Sequence, residues 1–276
     1  MKYSQTKQLS STKFKRLTGV NRRTYRLMVR IVKGKKALHK KSGRPPELIV
    51  EDQVLMVLQY GREYRTYFHI GQDLGIVEST VCRIVHNIEN ILIKSRKFSL
   101  PGKKKLLNTS GLEDLVVMDV MESPIEKPQR HQKAFYSGKQ EEHTLKTQVI
   151  IEQKTLKVIC LAHGKGKIHD FRLLKTSGVK FGELLKVIAD KGYQGITKIH
   201  ELSETPIKKP RGGKLTPEQK KYNRKLNKLR VVVEHVHRRL KIFKILSYRY
   251  RNRHRRFGLR ANLIAGIYNY ELSLQA

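Results

Sequence analysis

At 276 residues the chain suits one large domain or two of ordinary size, and a hydrophobic content of 38% supports a real core, which excludes a disordered basic tail. The 59 Lys and Arg residues against 23 Asp and Glu give a net charge of +36. That implies a polyanionic partner, nucleic acid ahead of a membrane surface, because no long basic amphipathic helix stands free of a core pattern. The N-terminus has no apolar signal core, no run could span a bilayer, and Cys82 and Cys160 stand far apart in apolar runs, so a soluble intracellular protein in a reducing compartment is expected.

Residues 1–32 alternate basic and apolar positions, and Phe14, Leu17, Val20, Tyr25, Met28, Val29 and Val32 suit two short helices punctuated by Gly19 and Asn21. From Lys33 to Pro46 a basic stretch closes on a Pro-Pro pair that discourages helix. Its Arg44, in a Gly-Arg-Pro context, suits insertion into a minor groove, with a solvated linker as the alternative. Residues 47–97 form the first firm unit. Val54, Leu55, Val57 and Leu58 predict a helix; a second follows over Tyr67–Leu74, then a turn opened by Gly75, then a helix from about Glu78 to Ile93. Helix, Gly-containing short turn and helix form the helix-turn-helix signature, and the last helix would offer Ser79, Thr80 and Arg83 to a major groove. An αα-hairpin in a core is the bland alternative, which the charge disfavours. Val77 stands where Ser or Thr commonly caps the recognition helix, so the cap is expected from Glu78 or Ser79.

Phe98–Thr109 carries Pro and Gly and reads as a connector. Beyond it, Leu115–Val120, Thr144–Ile151 and Leu156–Ala162 read as neighbouring antiparallel strands. A helix from Phe171, capped by Asp170, is followed by an apolar strand that Asp190 closes at a Gly-rich turn. A short helix over Ile196–Leu202, a strand over Pro206–Lys209 and a long basic helix complete a mixed α/β layer. Lys139, His143 and Lys146 are candidate DNA contacts, with a solvated basic face as the alternative.

Between Thr205 and Arg260 there are twenty Lys and Arg residues and only two acids, Glu218 and Glu234. Val233, Val236, Leu240 and Phe243 recur at helical steps as a buried face, and Arg230, Glu234, Arg238 and Lys241 share the adjoining one. Glu234 is then either an ion-pair partner of Arg230 or Arg238, contributing a few tenths of a kcal/mol, or a metal ligand. Asp119 and Asp190, each expected at the C-terminal end of a buried strand, can lie side by side where open α/β sheets place their ligands. A third acid from a helix would give the oxygen set that hard divalent cations take, two ions serving in-line phosphoryl transfer. By spacing alone Asp114, Glu122, Glu126 and Asp170 are also candidates. His235 and His237 read as packing or phosphate contacts, since one helix turn does not place both on Glu234's face.

The stretches DVMESPIEKP, FYSGKQEEHTLKTQVI, GKGKIHDFRLLKTSG, ADKGYQG and YRNRHRRFGLRANLIAGIYNYEL, with the R-x3-E-x6-K pattern of Arg230, Glu234 and Lys241, carry a resemblance. Over nearly its whole length the chain resembles bacterial DDE transposases of the insertion-sequence-five family. The resemblance implies an RNase-H-like mixed-sheet α/β catalytic domain over 108–276, preceded by an all-α helix-turn-helix DNA-binding domain over 1–107. It implies Asp119, Asp190 and Glu234 as the metal-binding triad, with Mg²⁺, replaceable by Mn²⁺, as two ions per site. Arg230 and Lys241 would contact DNA. Met121 departs from the small residue usual beside the first acid, and Asn227 from a frequent Tyr.

The reading is a bacterial, cytoplasmic, nucleoid-associated transposase that binds the terminal inverted repeats of its own element, cuts them and joins them to target DNA. It would work as a homo-oligomer assembled on double-stranded DNA, with no membrane partner. Its rivals are a regulator that keeps only the helix-turn-helix and a metal-dependent nuclease that never joins strands.

Overall fold

The structure is a computed structural model and describes residues 1–38, 46–107, 115–252 and 254–275. Arg44 and Asp114 lie outside the described residues. In chain order, the helices α1 (Tyr3–Thr6), α2 (Ser11–Thr18), α3 (Arg22–Ala37), α4 (Val50–Glu63), α5 (Tyr67–Leu74) and α6 (Glu78–Lys94) come first. Then follow β1 (Leu115–Pro124), α7 (Gln132–Phe135), β2 (Tyr136–Ser137), β3 (Glu142–Glu152), β4 (Val158–Lys165), α8 (Asp170–Ser177), β5 (Lys186–Ala189) and β6 (Ser203–Glu204). The chain closes with α9 (Pro217–Lys241), α10 (Lys244–Ser247) and α11 (Phe257–Ser273). No helix among the described residues is long and apolar enough to cross a membrane.

The chain forms two compact units. One unit is built from Met1–Ser99, Leu240–Tyr248 and Leu259–Ala276, the other from Leu100–Arg239 and Arg249–Gly258.

In the helical unit each helix buries one stripe. On α6, Val81, Val85, Ile88 and Leu92 are buried at three- and four-residue steps, and α6 packs against α4 and α3, which bury Leu55, Leu58, Met28 and Val32. Each such side chain, removed from water, is worth about 1.5–3 kcal/mol. The ends are set locally. Thr66 Oγ1 accepts from His69 N at 3.2 Å to start α5, and Gly75 ends it at φ 72°, a conformation that favours glycine. Any Cβ on Gly71 would lie 2.5 Å from the Ile76 carbonyl oxygen, so the turn can close this tightly only over glycine.

The third segment of the unit was not foreseen. Glu271 on α11 accepts from Asn21 N at 2.8 Å, at the first turn of α3, and pairs with Lys15 at 3.3 Å. Arg260 donates from Nε to Glu89 at 2.7 Å and from Nη2 to Tyr67 Oη at 3.2 Å, with its guanidinium 5.2 Å from the Tyr60 ring centroid. A Cβ on Gly266 would lie 1.9 Å from the Phe98 carbonyl oxygen, so α11 meets the chain after α6 backbone to side.

The second unit is a sheet. β1 pairs antiparallel with β3, and β3 antiparallel with β4; on the other side of β1, β5 and then β6 add in parallel. β2 extends the sheet along β3. Val116, Val117 and Met118 are all buried, as expected for a strand covered on both faces. Val116, Met118, Ile150, Val187 and Ala189 gather with Leu174 of α8, Tyr193 and Ile196 in one apolar cluster.

Two sequence expectations are corrected. No strand forms over Pro206–Lys209: Pro206 has no N–H to give, and the Ile207 N–H and carbonyl are both taken by the Asn223 side chain of α9, at 2.8 and 3.0 Å. The strand is β6, just before it. The helix expected over Ile196–Leu202 shrinks to a single 3₁₀ turn, Ile196–Lys198.

His163 on β4 sets edge-on against Phe257, ring centroids 5.6 Å apart, and its Nδ1 is 3.1 Å from Thr147 Oγ1. Burial pushes the imidazole down to about 4. The unfolded chain takes up a proton near the ordinary value, about 6.5, while the folded one resists until about 4. The stabilisation is therefore complete above about pH 6.5 and is lost as pH falls through 4, by about 3 kcal/mol at most. Denaturant titrations across that window should show the loss in the parent protein and a flatter profile for His163→Phe. Identical slopes would remove His163 as the cause.

Candidate active site

The parallel register of β1 and β5 ends at Met118 opposite Ala189. Asp119 and Asp190 are the next residues on each strand, so they stand side by side and point to the same side of the sheet. β5 stops there, whereas β1 continues to Pro124 along β3. Asp119 is therefore mid-strand by length, though it lies at the end of the parallel pairing. This placement, rather than a strand terminus, brings the two carboxylates together.

Arg230 of α9 reaches both. Its Nη2 lies 3.0 Å from Asp190 Oδ1 and 3.9 Å from Asp119 Oδ1, and its side chain is 12% exposed. Burial, with Asp190 and Asp170 nearby, pushes the Asp119 carboxyl up to about 6 against the opposing pull of Arg230. Two adjacent carboxylates with limited water demand a cation.

A pocket of about 230 Å³ opens over the pair, lined also by Glu122, Lys139, Lys146, Asp170 and the turn from Gly166 to His169. A larger hollow, about 530 Å³, runs along α9 beside Lys220, Arg224 and Lys228, but no acid lines it. Of the two, the smaller is the one lined by carboxylates. Lys146 stands on β3 opposite Glu122 of β1 and bonds Asp170 at 2.7 Å, with Glu122 at 3.9 Å; Thr144 Oγ1 donates to Glu122 at 2.7 Å. Lys146, expected at DNA, is thus held between two acids. Asp170 does not cap α8: His169 is the N-cap residue, no side chain caps there, and Asp170 is committed to Lys146. Gly192, in the KGYQG turn, backs onto Asp170, whose Oδ2 would be 2.4 Å from a Cβ placed there. This Lys146-centred network was the part missed in sequence. The only signal for it was the alternation of β3, which sets Lys146 on the same side as Thr144.

Lys139 is exposed at the rim of the pocket and makes no ion pair among the described residues. Glu234 is exposed on α9, one turn beyond Arg230, and likewise makes no ion pair there. Its reading as a helical partner of Arg230 or Arg238 therefore has no contact behind it, since Arg230 is engaged by the aspartates. Lys241 ends α9 in the helical unit, half-buried. Among the described residues no three His, Cys, Asp or Glu side chains are grouped closely enough to hold a metal. Asp119 and Asp190 alone still fit one, because Mg²⁺ is commonly held by one or two carboxylates, with water and phosphate completing the shell.

In the helical unit, α5 and α6 form the expected pair joined by Gly75, Ile76 and Val77. Ser79 and Arg83 are exposed, and Arg83 Nη2 donates to Thr80 Oγ1 at 3.0 Å, so the three candidate contacts share one face. The expected cap from Glu78 or Ser79 is absent: no side chain caps α6 at Val77, whose carbonyl accepts from Thr80 N at 2.9 Å and Val81 N at 3.2 Å.

The family described as DDE superfamily endonuclease matches residues 118–269, which hold both aspartates, Arg230 and Glu234. The helix-turn-helix of DDE superfamily endonuclease matches residues 46–98. The chain belongs to the DDE superfamily endonucleases, enzymes that generally use divalent metal ions. It is 71% identical over 276 residues, all of both chains, to a probable transposase for insertion sequence element IS702 from Microchaete diplosiphon. It is 27% identical over 233 residues, 83% of each chain, to a candidate transposase for insertion sequence element IS112 from Streptomyces albus G. No solved structure matches it.

Proposed function

We propose that the chain is the transposase of an insertion element, binding that element's terminal inverted repeats and catalysing metal-dependent strand cleavage and strand transfer. The observation that carries this is the β1–β5 register, which sets Asp119 beside Asp190 around a single cationic atom. Three antiparallel strands with two parallel ones added beyond β1 support an RNase-H-like reading of the sheet. Asp119 and Asp190 would hold Mg²⁺, with Glu234 as the third acid. The bound metal would activate the attacking oxygen and neutralise charge on the phosphate.

The chain's own residues do the rest. Lys139, at the rim and without an ion pair among the described residues, supplies positive charge for a DNA phosphate that the acids would otherwise repel. Lys146 fixes Asp170 and Glu122 and leaves only the aspartate pair unfilled by lysine. Ser79, Thr80 and Arg83 read the element ends, and more than one copy assembles on DNA to hold both ends of the element.

Full-length protein incubated with element-end DNA, target DNA and Mg²⁺ should give nicked ends and covalently joined product, both absent in chelator. Cutting in chelator would sink the metal mechanism; nicking without joined product would leave a nuclease. Arg83→Ala should weaken binding to element ends by about 1–3 kcal/mol, and binding to random DNA by less, measured by fluorescence anisotropy at fixed salt. Equal losses would assign Arg83 to the phosphate backbone.

A further inference from the structure

Arg230 lies where a metal ion would be expected, and its contacts there are incomplete. One nitrogen, Nη2, serves both carboxylates, at 3.0 and 3.9 Å, in place of the parallel two-nitrogen fork that makes arginine–carboxylate pairs strong. Its Nε is buried without an acceptor among the described residues. An arginine kept only to stabilise this edge of the sheet would be expected to bond more fully.

Resting on the metal-dependent reading above, we propose that Arg230 is the resident counter-cation of the Asp119–Asp190 pair, and that a divalent ion enters only by displacing it. The guanidinium occupies the space between the two acids until substrate and metal arrive. A divalent ion satisfies both carboxylates with twice the charge, which an arginine held through one nitrogen cannot match. Arg230 and Glu234 are one turn apart on α9, so the cation that fills the pair and the acid free to complete it ride on the same helix. Lys146 differs: its amine bonds Asp170 at 2.7 Å and its second acid, Glu122, is held by Thr144 as well. That pair is structural, whereas the Arg230 contacts are provisional.

The test uses Mn²⁺ as probe and full-length protein without DNA, with affinity read by calorimetric titration. Arg230→Gln should bind Mn²⁺ about tenfold more tightly than the parent, because the competing charge is gone. Arg230→Lys, which keeps the charge, should stay within about twofold of the parent, and adding Asp190→Asn to Arg230→Gln should abolish the gain. Equal or weaker binding by Arg230→Gln would overturn the displacement, as would a gain shared by Arg230→Lys or one that survives loss of Asp190. These outcomes leave metal dependence standing. Absence of Mn²⁺ binding in parent and variants alike would overturn both.

Discussion

Asp190→Asn should lower strand cleavage by about three orders of magnitude or more while DNA binding is retained, because it removes one of the two charges that gather the cation. Asparagine is nearly isosteric, β5 ends before it, and its backbone makes no register pair with β1 or β6, so the sheet should persist. The loss should be accompanied by weaker binding of divalent metal. Glu234→Gln is the companion measurement. Its side chain is exposed and without an ion pair among the described residues, so stability should not change measurably. A comparable fall in cleavage would then come from chemistry alone, with Glu218→Gln as the matched control. Near-normal cutting by Glu234→Gln would remove it as the third ligand, and near-normal cutting by Asp190→Asn would remove the site.

Arg260→Met should destabilise the helical unit by about 3–5 kcal/mol, since it strands a buried carboxylate. Arg260 and Glu89 side chains are only 3% and 4% exposed and bond at 2.7 Å. Burying an ion pair is expensive, and removing one partner leaves the full cost of the other charge with none of the attraction. Tyr60 and Tyr67, which stack at 4.8 Å, also lose the guanidinium they wrap. Urea denaturation of the single variant and of Arg260→Met with Glu89→Leu checks this: the double variant should recover much of the loss. A single-variant loss below about 1 kcal/mol would show that the carboxylate finds other partners.

Local pattern carried a good share of this structure. The α5–α6 pair, the stripe of Val233, Val236 and Leu240, and the three antiparallel strands all follow from spacing, because each is dictated by neighbours a few residues away. Asp119 and Asp190 were legible as candidates because an acid ending an apolar run conflicts with burial unless something compensates it. What was illegible depends on distance along the chain. Arg260 and Glu89 are 171 residues apart, and neither carries a local mark of its partner. Arg230 was expected to contact DNA or pair with Glu234, and periodicity could not show that two aspartates claim it first. Pro206–Lys209 had the look of a strand, and a single asparagine on α9 took its backbone bonds.

The helical unit is finished by α11, with Glu271 at the start of α3 and Arg260 inside the α4–α6 packing. During synthesis its first 99 residues leave the ribosome well ahead of Leu259. At ordinary elongation rates they wait roughly ten seconds or more, with Glu89 unpaired. A chain whose translation stops early thus never completes the helical unit.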